Sequence, residues 1–210
     1  ANIALLREAA KQKRLVIDIV SYPMWTLLTK VMTGEQKLEG IEYYPPPTVT
    51  NAGRALESDK PQATQAAIAG ETAPRLKIGL YENGFKIGGV KITIDGSPQG
   101  RTAFFTTPYL TGGPGGEQDW KGEPTFPQLM VNQMVRKVYR MKVPLLLHCN
   151  GDAAIDAFLD AYEFAREGDY STPWNVTTIH TQFMRKDHIP KYVKYGIRPS
   201  FYTLHTFYFA

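Results

Sequence analysis

Three residues of this sequence carry side chains suited to a metal site, and each lies in a short apolar stretch typical of a β-strand. Lys91 lies in GGVKITIDGSPQGR (88–101), His148 ends the apolar run of VPLLLHCNGD (143–152), and His180 ends NVTTIH (175–180). A strand followed by a polar residue and then a helix, repeated along the chain, predicts a parallel α/β fold. Because the carboxyl ends of the strands carry the chemistry in such folds, we expect these side chains to converge on one site.

Lys91 shares one face of its predicted strand with Thr93 and Asp95, whereas apolar residues occupy the other face. A lysine on an inward face is costly unless something compensates its charge. A buried ion pair, or a side chain that reaches solvent, would be a structural explanation. The functional explanations are a Schiff-base lysine, a general base with a lowered pKa, or a lysine carbamate that bridges two metal ions.

His148 stands at the end of its strand and is either a structural histidine or a ligand. Asp152 follows it in Asn150-Gly151-Asp152, and its side chain can cap the next helix, support a ligand, or do both. His180 ends the next strand, where alternation puts it on the same face as Val176 and Thr178. One βα unit separates the two histidines, which places them side by side, and imidazole is the preferred neutral ligand of zinc and similar metals.

The remaining polar candidates are weaker. His205 lies beyond the last predicted strand, where it could bind substrate or polarise a carbonyl. His188 is predicted on the surface of a helix, Asp95-Gly96 as a strand-ending turn, and Cys149 in the core. Several aromatic residues could line a substrate pocket, or else be core or loop anchors. They are Tyr22, Tyr81, Phe104, Phe105, Tyr109 and Trp120.

The elements that position these residues follow from hydrophobic periodicity. The pattern predicts strands at 15–20, 89–94, 143–149, 176–181 and 197–203, and helices at 1–13, 126–141, 152–167 and 186–195. Two long segments, at about 33–79 and 106–127, are predicted to be irregular, the first with a short helix at 62–69 and the second a glycine-rich flexible loop over which Trp120 could pack. The fold class is therefore α/β, with about five parallel strands and helical crossovers in a single domain spanning 1–210.

Composition excludes several classes of protein. The chain of 210 residues is 43% hydrophobic and 21% charged, as in ordinary soluble globular domains. A single cysteine excludes a disulfide framework and a thiolate zinc site, and favours a cytoplasmic location. The net charge of +4 is small, and the basic stretch 185–198 is predicted to be a solvated helix face. We expect a small-molecule substrate, and neither nucleic acid nor a membrane as partner.

Three segments, in this order, resemble the amidohydrolase superfamily. They are GGVKITIDGSPQGRTA (88–103), LLLHCNGDAAIDAFLDAYE (145–163) and TTIHTQFMRKDHIPKYVKYGIRPSF (177–201). The likeness is to the amidohydrolase-3 branch, which includes YtcJ-like and N-substituted formamide deformylase-like proteins, and it extends over roughly 76–205. The third segment is the loosest match, because it reads IHTQ where the family often has glutamate before the histidine.

The resemblance implies a metal-dependent hydrolase with a (β/α)8 TIM barrel. Lys91 would be the carboxylated, metal-bridging lysine, His148 and His180 would be metal ligands, and His205 would contact substrate with Asp152 in support. The implied metal is zinc or a similar divalent ion, binuclear in the complete enzyme. The implied reaction is hydrolysis of an amide-type, non-peptide carbon–nitrogen bond by metal-activated hydroxide.

Two departures from the family leave a second interpretation open. The family's His-x-His pair on the first strand and its aspartate after the last strand have no counterpart here. The predicted strands then correspond to the third to seventh of a barrel, and we expect a fragment with about half of the metal ligands, inactive alone and prone to homo-oligomerise through open sheet edges. The alternative is a non-catalytic, barrel-derived module that binds a small molecule or a partner through the loops at 33–79 and 106–127, with a vestigial metal site.

Overall fold

The computed structural model describes residues 3–37, 41–44, 75–78 and 81–204. The helices are α1 (Ile3–Lys11), α2 (Trp25–Met32), α3 (Gln128–Arg140), α4 (Asp152–Arg166) and α5 (His188–Tyr195). The strands are β1 (Ile19–Ser21), β2 (Ile41–Tyr44), β3 (Arg75–Ile78), β4 (Phe85–Ile87), β5 (Val90–Thr93), β6 (Leu145–Cys149), β7 (Val176–His180) and β8 (Arg198–Phe201).

The centre of the fold is a parallel sheet in which β5, β6, β7 and β8 lie in chain order. Helices α3, α4 and α5 connect successive strands, so the predicted α/β class with parallel strands is confirmed. Outside this sheet, β1 pairs in parallel with β4, and β2 pairs antiparallel with β3. A parallel bridge between Met24 and Lys91 brings the segment after β1 alongside β5. The strands of the described ranges do not close into the predicted barrel.

Alternation along the strands separates a buried face of the sheet from a half-buried one. The buried face carries Val90 and Ile92 of β5, Leu145 and Leu147 of β6, and Val176 of β7. These side chains belong to the same core cluster as the apolar stripe of α4. That stripe follows the helical period and consists of Ile155, Phe158, Leu159 and Tyr162. Burying each large aliphatic side chain contributes about 1.5–3 kcal/mol to the stability of the fold. The core between the sheet and α4 therefore supports the strands that carry the opposite face.

The N-terminal third departs from the sequence prediction. The strand predicted from Leu15 begins only at Ile19, because its partner β4 offers three residues for pairing, and Val16 and Ile17 are exposed. The segment 33–79, predicted to be irregular, contains β2 and β3. The helix predicted at 62–69 lies outside the described residues. Helix α2 and strand β4 have no counterpart among the predicted elements.

None of the helices in the described ranges has the length and hydropathy that crossing a membrane requires. The cytoplasmic location and the possible homo-oligomer stay predictions from the sequence.

Candidate metal centre and neighbouring pocket

The register of the central sheet places Lys91 and His148 on one face. Lys91 pairs with Leu146, and Thr93 pairs with His148. Paired residues of neighbouring parallel strands direct their side chains to the same side of the sheet. All four side chains are half-buried, in contrast to the fully buried residues between them. The face that holds Lys91 and His148 is therefore the one turned away from the α4 core.

Lys91 has no compensating carboxylate in the part of the chain that the structure describes. Its side chain is half-buried, and no acidic group within the described ranges lies within ion-pair distance of its ammonium. Its backbone N–H donates to Pro23 O at 2.8 Å, which fixes the segment after β1 against this point of β5. Of the two structural explanations for an inward lysine, the buried ion pair is thus not formed among these residues.

His180 reaches His148 through a left-handed backbone. Strand register pairs His180 with Cys149, whose side chain is on the buried face, so alternation alone would aim His180 into the core. Instead, His180 has φ 70° and Thr181 has φ 47°, and the imidazole rings of His148 and His180 meet edge to face with centroids 4.8 Å apart. The predicted proximity of the two histidines therefore depends on a turn and not on strand alternation.

Positive φ is strained for a β-branched residue such as Thr181, at a cost of about 1–3 kcal/mol. Two hydrogen bonds hold this residue in place. Its N–H donates to Cys149 O at 2.9 Å, and its hydroxyl donates to Thr178 Oγ1 at 2.9 Å. Burial of the Thr181 side chain adds to the constraint. The strained turn at the end of β7 is consequently a fixed feature that orients His180.

The Nε2 atom of His148 lies against polar groups from two loops. It is 3.2 Å from Gly96 O and 3.1 Å from Asn150 Nδ2, and the same Asn150 amide donates to Gly96 O at 2.8 Å. Asn150 is almost fully buried, and its Oδ1 has no hydrogen-bond partner among the described residues. Asn150 thus links His148 to the Gly96 carbonyl through its amide nitrogen, while its buried Oδ1 stays unpaired in the part of the chain that the structure describes.

Asp95 is the residue at this site whose importance the sequence prediction missed. It is 1% exposed, and its carboxylate accepts backbone N–H groups from Asn150 (2.9 Å), Gly151 (2.8 Å) and Phe104 (3.0 Å). Burial raises the pKa of Asp95, while these three donors and His148 oppose the rise. Asp95 Oδ1 lies 3.6 Å from His148 Nε2. The Asp95-Gly96 turn thus ties the loops after β5 and β6 together around His148, a role indicated in the sequence only by its position on the Lys91 face.

Asp152 joins three segments instead of acting only as a helix cap. Helix α4 begins at Asp152 itself, and the cap position belongs to Gly151. Its oxygens accept the N–H of Ala153 at 3.0 Å, the N–H of Thr106 at 2.9 Å together with the Thr106 hydroxyl, and an Arg185 N–H at 3.1 Å. Burial raises the pKa of Asp152, but the bonds from Thr106 and Arg185 outweigh it, so the pKa lies below its usual value. The catalytic role expected of Asp152 stays a prediction.

A charged cluster of Arg185, Asp152, Asp156, Asp187 and His188 lies beyond Asp152. The Arg185 guanidinium bonds Asp156 bidentately, both at 2.8 Å, and also bonds Asp187 and Asp152. His188 is 1% exposed, donates from Nε2 to Asp156 at 2.9 Å and accepts the Arg185 backbone N–H at Nδ1. The prediction that His188 lies on the surface is therefore wrong. Arg185 is partly exposed and bonds three carboxylates. The other lysine and arginine residues of the same basic stretch are exposed, as predicted for a solvated face, namely Lys186, Lys191, Lys194 and Arg198.

A pocket of about 690 Å³ opens beside this cluster. Its lining includes Phe105 and Tyr109 of the long loop, Phe183 after β7, and the paired Asp152 and Arg185. Two of the predicted aromatic residues thus line a pocket, whereas Trp120 anchors the glycine-rich loop by donating its indole N–H to Arg101 O at 2.6 Å. Lys91, His148 and His180 are not part of the lining. The pocket lies next to them along the chain, because Gln182 and Asp152 closely follow the two histidines.

The donor set fits a divalent metal in part. Two adjacent imidazoles provide the neutral nitrogen ligands that zinc prefers, and Lys91 shares the face of His148. Over the described ranges, no group of three or more histidine, cysteine, aspartate or glutamate side chains is arranged to hold a metal ion. His205, expected to contact substrate, lies outside the described residues. Only part of a coordination sphere is therefore gathered here.

Comparison with known proteins gives the family. The profile of the amidohydrolase family (amidohydrolase-3) matches residues 2–210. An uncharacterized metal-dependent hydrolase from Pyrococcus horikoshii OT3 is similar in structure, with a TM-score of 0.61 and 18% identity over 94% of this chain and 30% of that one. Another, from Pyrococcus furiosus, has a TM-score of 0.59 and 20% identity over 94% of this chain and 31% of that one.

At these identities the two crystal structures support the fold alone, and this chain spans less than a third of their length. No protein of curated function matches it significantly. The family profile, by contrast, covers nearly every residue, including the segments that carry Lys91, His148 and His180. This chain belongs to the amidohydrolase family.

Proposed function

We propose that this chain is part of a metal-dependent hydrolase that cleaves an amide-type, non-peptide carbon–nitrogen bond. The observation that carries the proposal is the meeting of the His148 and His180 rings, 4.8 Å apart, at the carboxyl ends of consecutive strands. The face of the sheet that carries His148 also carries Lys91. The Pyrococcus proteins of similar fold are metal-dependent hydrolases by name, which supports the same class of chemistry.

Each residue has a definite part in this proposal. His148 and His180 would bind zinc or a similar divalent ion through imidazole nitrogen. Lys91 would bind as a carbamate, formed when its neutral amine adds to CO₂ and releases a proton, which turns a cation into an anionic ligand. A metal held there supplies an activated water and polarises the carbonyl of the substrate. His205 and Asp152 are proposed to contact and position the substrate.

The chain's own buried groups would keep this arrangement in place. Asp95 holds the loops after β5 and β6 through three backbone N–H groups, so that His148 is fixed between them. The Thr181 turn orients His180. A binuclear site and full activity would require ligands beyond those gathered here, since no group of three or more histidine, cysteine, aspartate or glutamate side chains in the described ranges is arranged to hold a metal ion.

Metal content of the purified chain tests the proposal. We expect zinc or a similar ion to copurify when neither metal nor chelator is added, as measured by elemental mass spectrometry. Lys91→Ala, His148→Ala and His180→Ala should each lower the content by at least about tenfold, because each removes a direct ligand. Thr177→Ala is the matched control, since Thr177 is half-buried on the same face. A wild-type chain without metal, or variants that keep it, would contradict the metal assignment.

A non-catalytic, small-molecule-binding module is the second candidate function. The observation that favours it is the pocket of about 690 Å³, which is lined without any of the three candidate ligands. A metal-free chain that still binds small molecules in this pocket would support the module and not the hydrolase.

A further inference from the structure

The pocket beside the candidate metal centre has walls built by the loops that follow β5 and β7. Phe105, from the first loop, is the centre of an aromatic group. Its ring meets Tyr109 edge to face at 5.0 Å and Phe183 edge to face at 4.8 Å. Phe183 comes three residues after His180, and its N–H donates to Asn150 O at 3.0 Å. The aromatic wall is therefore tied directly to the residues that surround His148 and His180.

The charged groups of the pocket are already paired with protein groups, whereas Gln182, also in the lining, keeps a buried Oε1 without a hydrogen-bond partner among the described residues. Asp152 and Arg185, the charged residues in the lining, bond each other at 3.1 Å. The remaining bonds of Arg185 go to Asp156 and Asp187. The Tyr109 hydroxyl donates to Ala103 O at 2.9 Å, and burial raises its pKa to about 12, so it carries no charge near neutral pH. An anionic group that entered this pocket would lose water without finding a free counter-charge, because three carboxylates already surround Arg185.

Apolar surface remains exposed at the mouth of the same pocket. Leu110 is completely exposed and Phe183 is 42% exposed. Contacts with a flat apolar ring would bury this surface, and aromatic walls favour such a ring through offset-stacked or edge-to-face packing. The volume of about 690 Å³ lies within the range of small-molecule sites.

We infer that this pocket binds a ring-bearing substituent of the substrate that carries no negative charge. The pocket alone supports the binding of a ring. That the ring is part of a substrate rests on the proposed hydrolase function. The enzyme would accordingly favour amides with an aromatic or similarly flat apolar group next to the scissile bond, over small aliphatic amides and over ring compounds with an anionic substituent.

Ligand titrations followed by ¹H–¹⁵N NMR on the metal-free chain test the ring preference. Benzamide should bind at least tenfold tighter than acetamide, which lacks the ring, and than benzoate, which adds a charge. Leu110→Glu should weaken benzamide binding at least fivefold, and folding is not at risk because Leu110 is fully exposed. Leu129→Glu on α3, another exposed leucine, is the matched control and should leave binding unchanged. Equal binding of benzamide and acetamide, or equal effects of the two variants, would overturn the inference.

A second titration links the ring to the metal centre. On zinc-loaded protein, benzohydroxamate should bind at least tenfold tighter than acetohydroxamate, and Leu110→Glu should abolish this difference. If zinc changes the affinity of neither hydroxamate, while the protein still binds benzamide tighter than acetamide, the metal assignment fails and the ring pocket stands. If both hydroxamates respond to zinc equally, the pocket does not serve the substrate and the inference is overturned.

Discussion

Strand register assigns His148 and His180 to opposite faces of the central sheet, yet their rings are in contact. His148 pairs with Ile179, and His180 pairs with Cys149, so regular strands would direct the two side chains to opposite faces. The left-handed backbone at His180 reverses its direction, and the centroids come within 4.8 Å. The pair is thus created where β7 ends, at the edge of the sheet where parallel α/β folds carry their chemistry.

The two histidines should act as a single metal-binding unit. We expect His148→Ala and His180→Ala each to lower zinc affinity by more than about 100-fold, and the double variant to lose little more, because one ion needs both ligands. Competition with a chromophoric chelator measures the affinities, with Thr177→Ala as control. Losses that add in the double variant would mean that the two histidines bind zinc independently.

Asp95→Asn should destabilise the fold although it preserves the shape of the side chain. The carboxylate accepts three buried backbone N–H groups, and an amide would turn its NH₂ towards at least one of them. Unpaired buried donors cost about 1–3 kcal/mol each. Burial raises the pKa of Asp95, so the substitution also removes a desolvation penalty, and the expected net loss is about 2 kcal/mol.

Urea denaturation at pH 7 measures the loss of stability in Asp95→Asn. Asp119→Asn is the matched control, because Asp119 is an exposed aspartate on the glycine-rich loop. A loss in Asp95→Asn no larger than in the control would show that the three N–H groups find other partners, and that Asp95 does not hold the loops.

Gly151→Ala should disturb the same junction by steric overlap. A Cβ atom on Gly151 would lie 1.9 Å from the backbone oxygen of Phe104, which only a shift of the backbone can relieve. Overpacking of this kind costs about 1–3 kcal/mol. Gly100→Ala in the preceding loop is the control, since its nearest contact is at 3.4 Å. Thermal unfolding should show a lower Tm for Gly151→Ala than for Gly100→Ala, and equal values would refute the close approach of these loops.

Local pattern was sufficient to predict the central sheet and the shared face of Lys91 and His148. Each of the strands β5 to β8 has a segment of suitable length and composition, and a period of two fixes which residues share a face. The same rule gives the wrong face for His180, because a left-handed turn is a property of its surroundings and not of a histidine. Whether these residues bind metal is a question that periodicity does not answer.

The sequence prediction missed contacts between distant parts of the chain. His188 is predicted to be exposed on an amphipathic helix, but it is buried against Asp156, 32 residues earlier. Asp95 reads as part of a turn, yet its partners Asn150 and Gly151 come from the next βα unit. Strands β2 and β3 pair with each other across a long connection, which no local window detects.

The Arg185 cluster should make stability depend on pH in the acid range. Burial raises the pKa of Asp152 and Asp156, but hydrogen bonds outweigh this and hold each pKa below its usual value of 3.8. The main donors are Thr106 and Arg185 to Asp152, and Arg185 and His188 to Asp156. A carboxylate whose pKa is lowered by folding contributes stability above the unfolded value, and this contribution is lost as the pH falls through the folded value.

Arg185→Gln should therefore lower the free energy of unfolding by about 1–2 kcal/mol at pH 7. This loss is smaller than for fully buried charged hydrogen bonds, because Asp156 and Asp187 are partly exposed. The difference in unfolding free energy between Arg185→Gln and wild type should shrink as the pH falls below 3.8, where the Asp152 and Asp156 carboxylates become protonated. Urea denaturation at pH 7, 4 and about 2.5 measures it, with Lys186→Gln as the control that removes an exposed neighbouring cation. A difference that stays constant with pH, or that Lys186→Gln reproduces, would mean that Arg185 stabilises the fold through packing or net charge and not through these carboxylates.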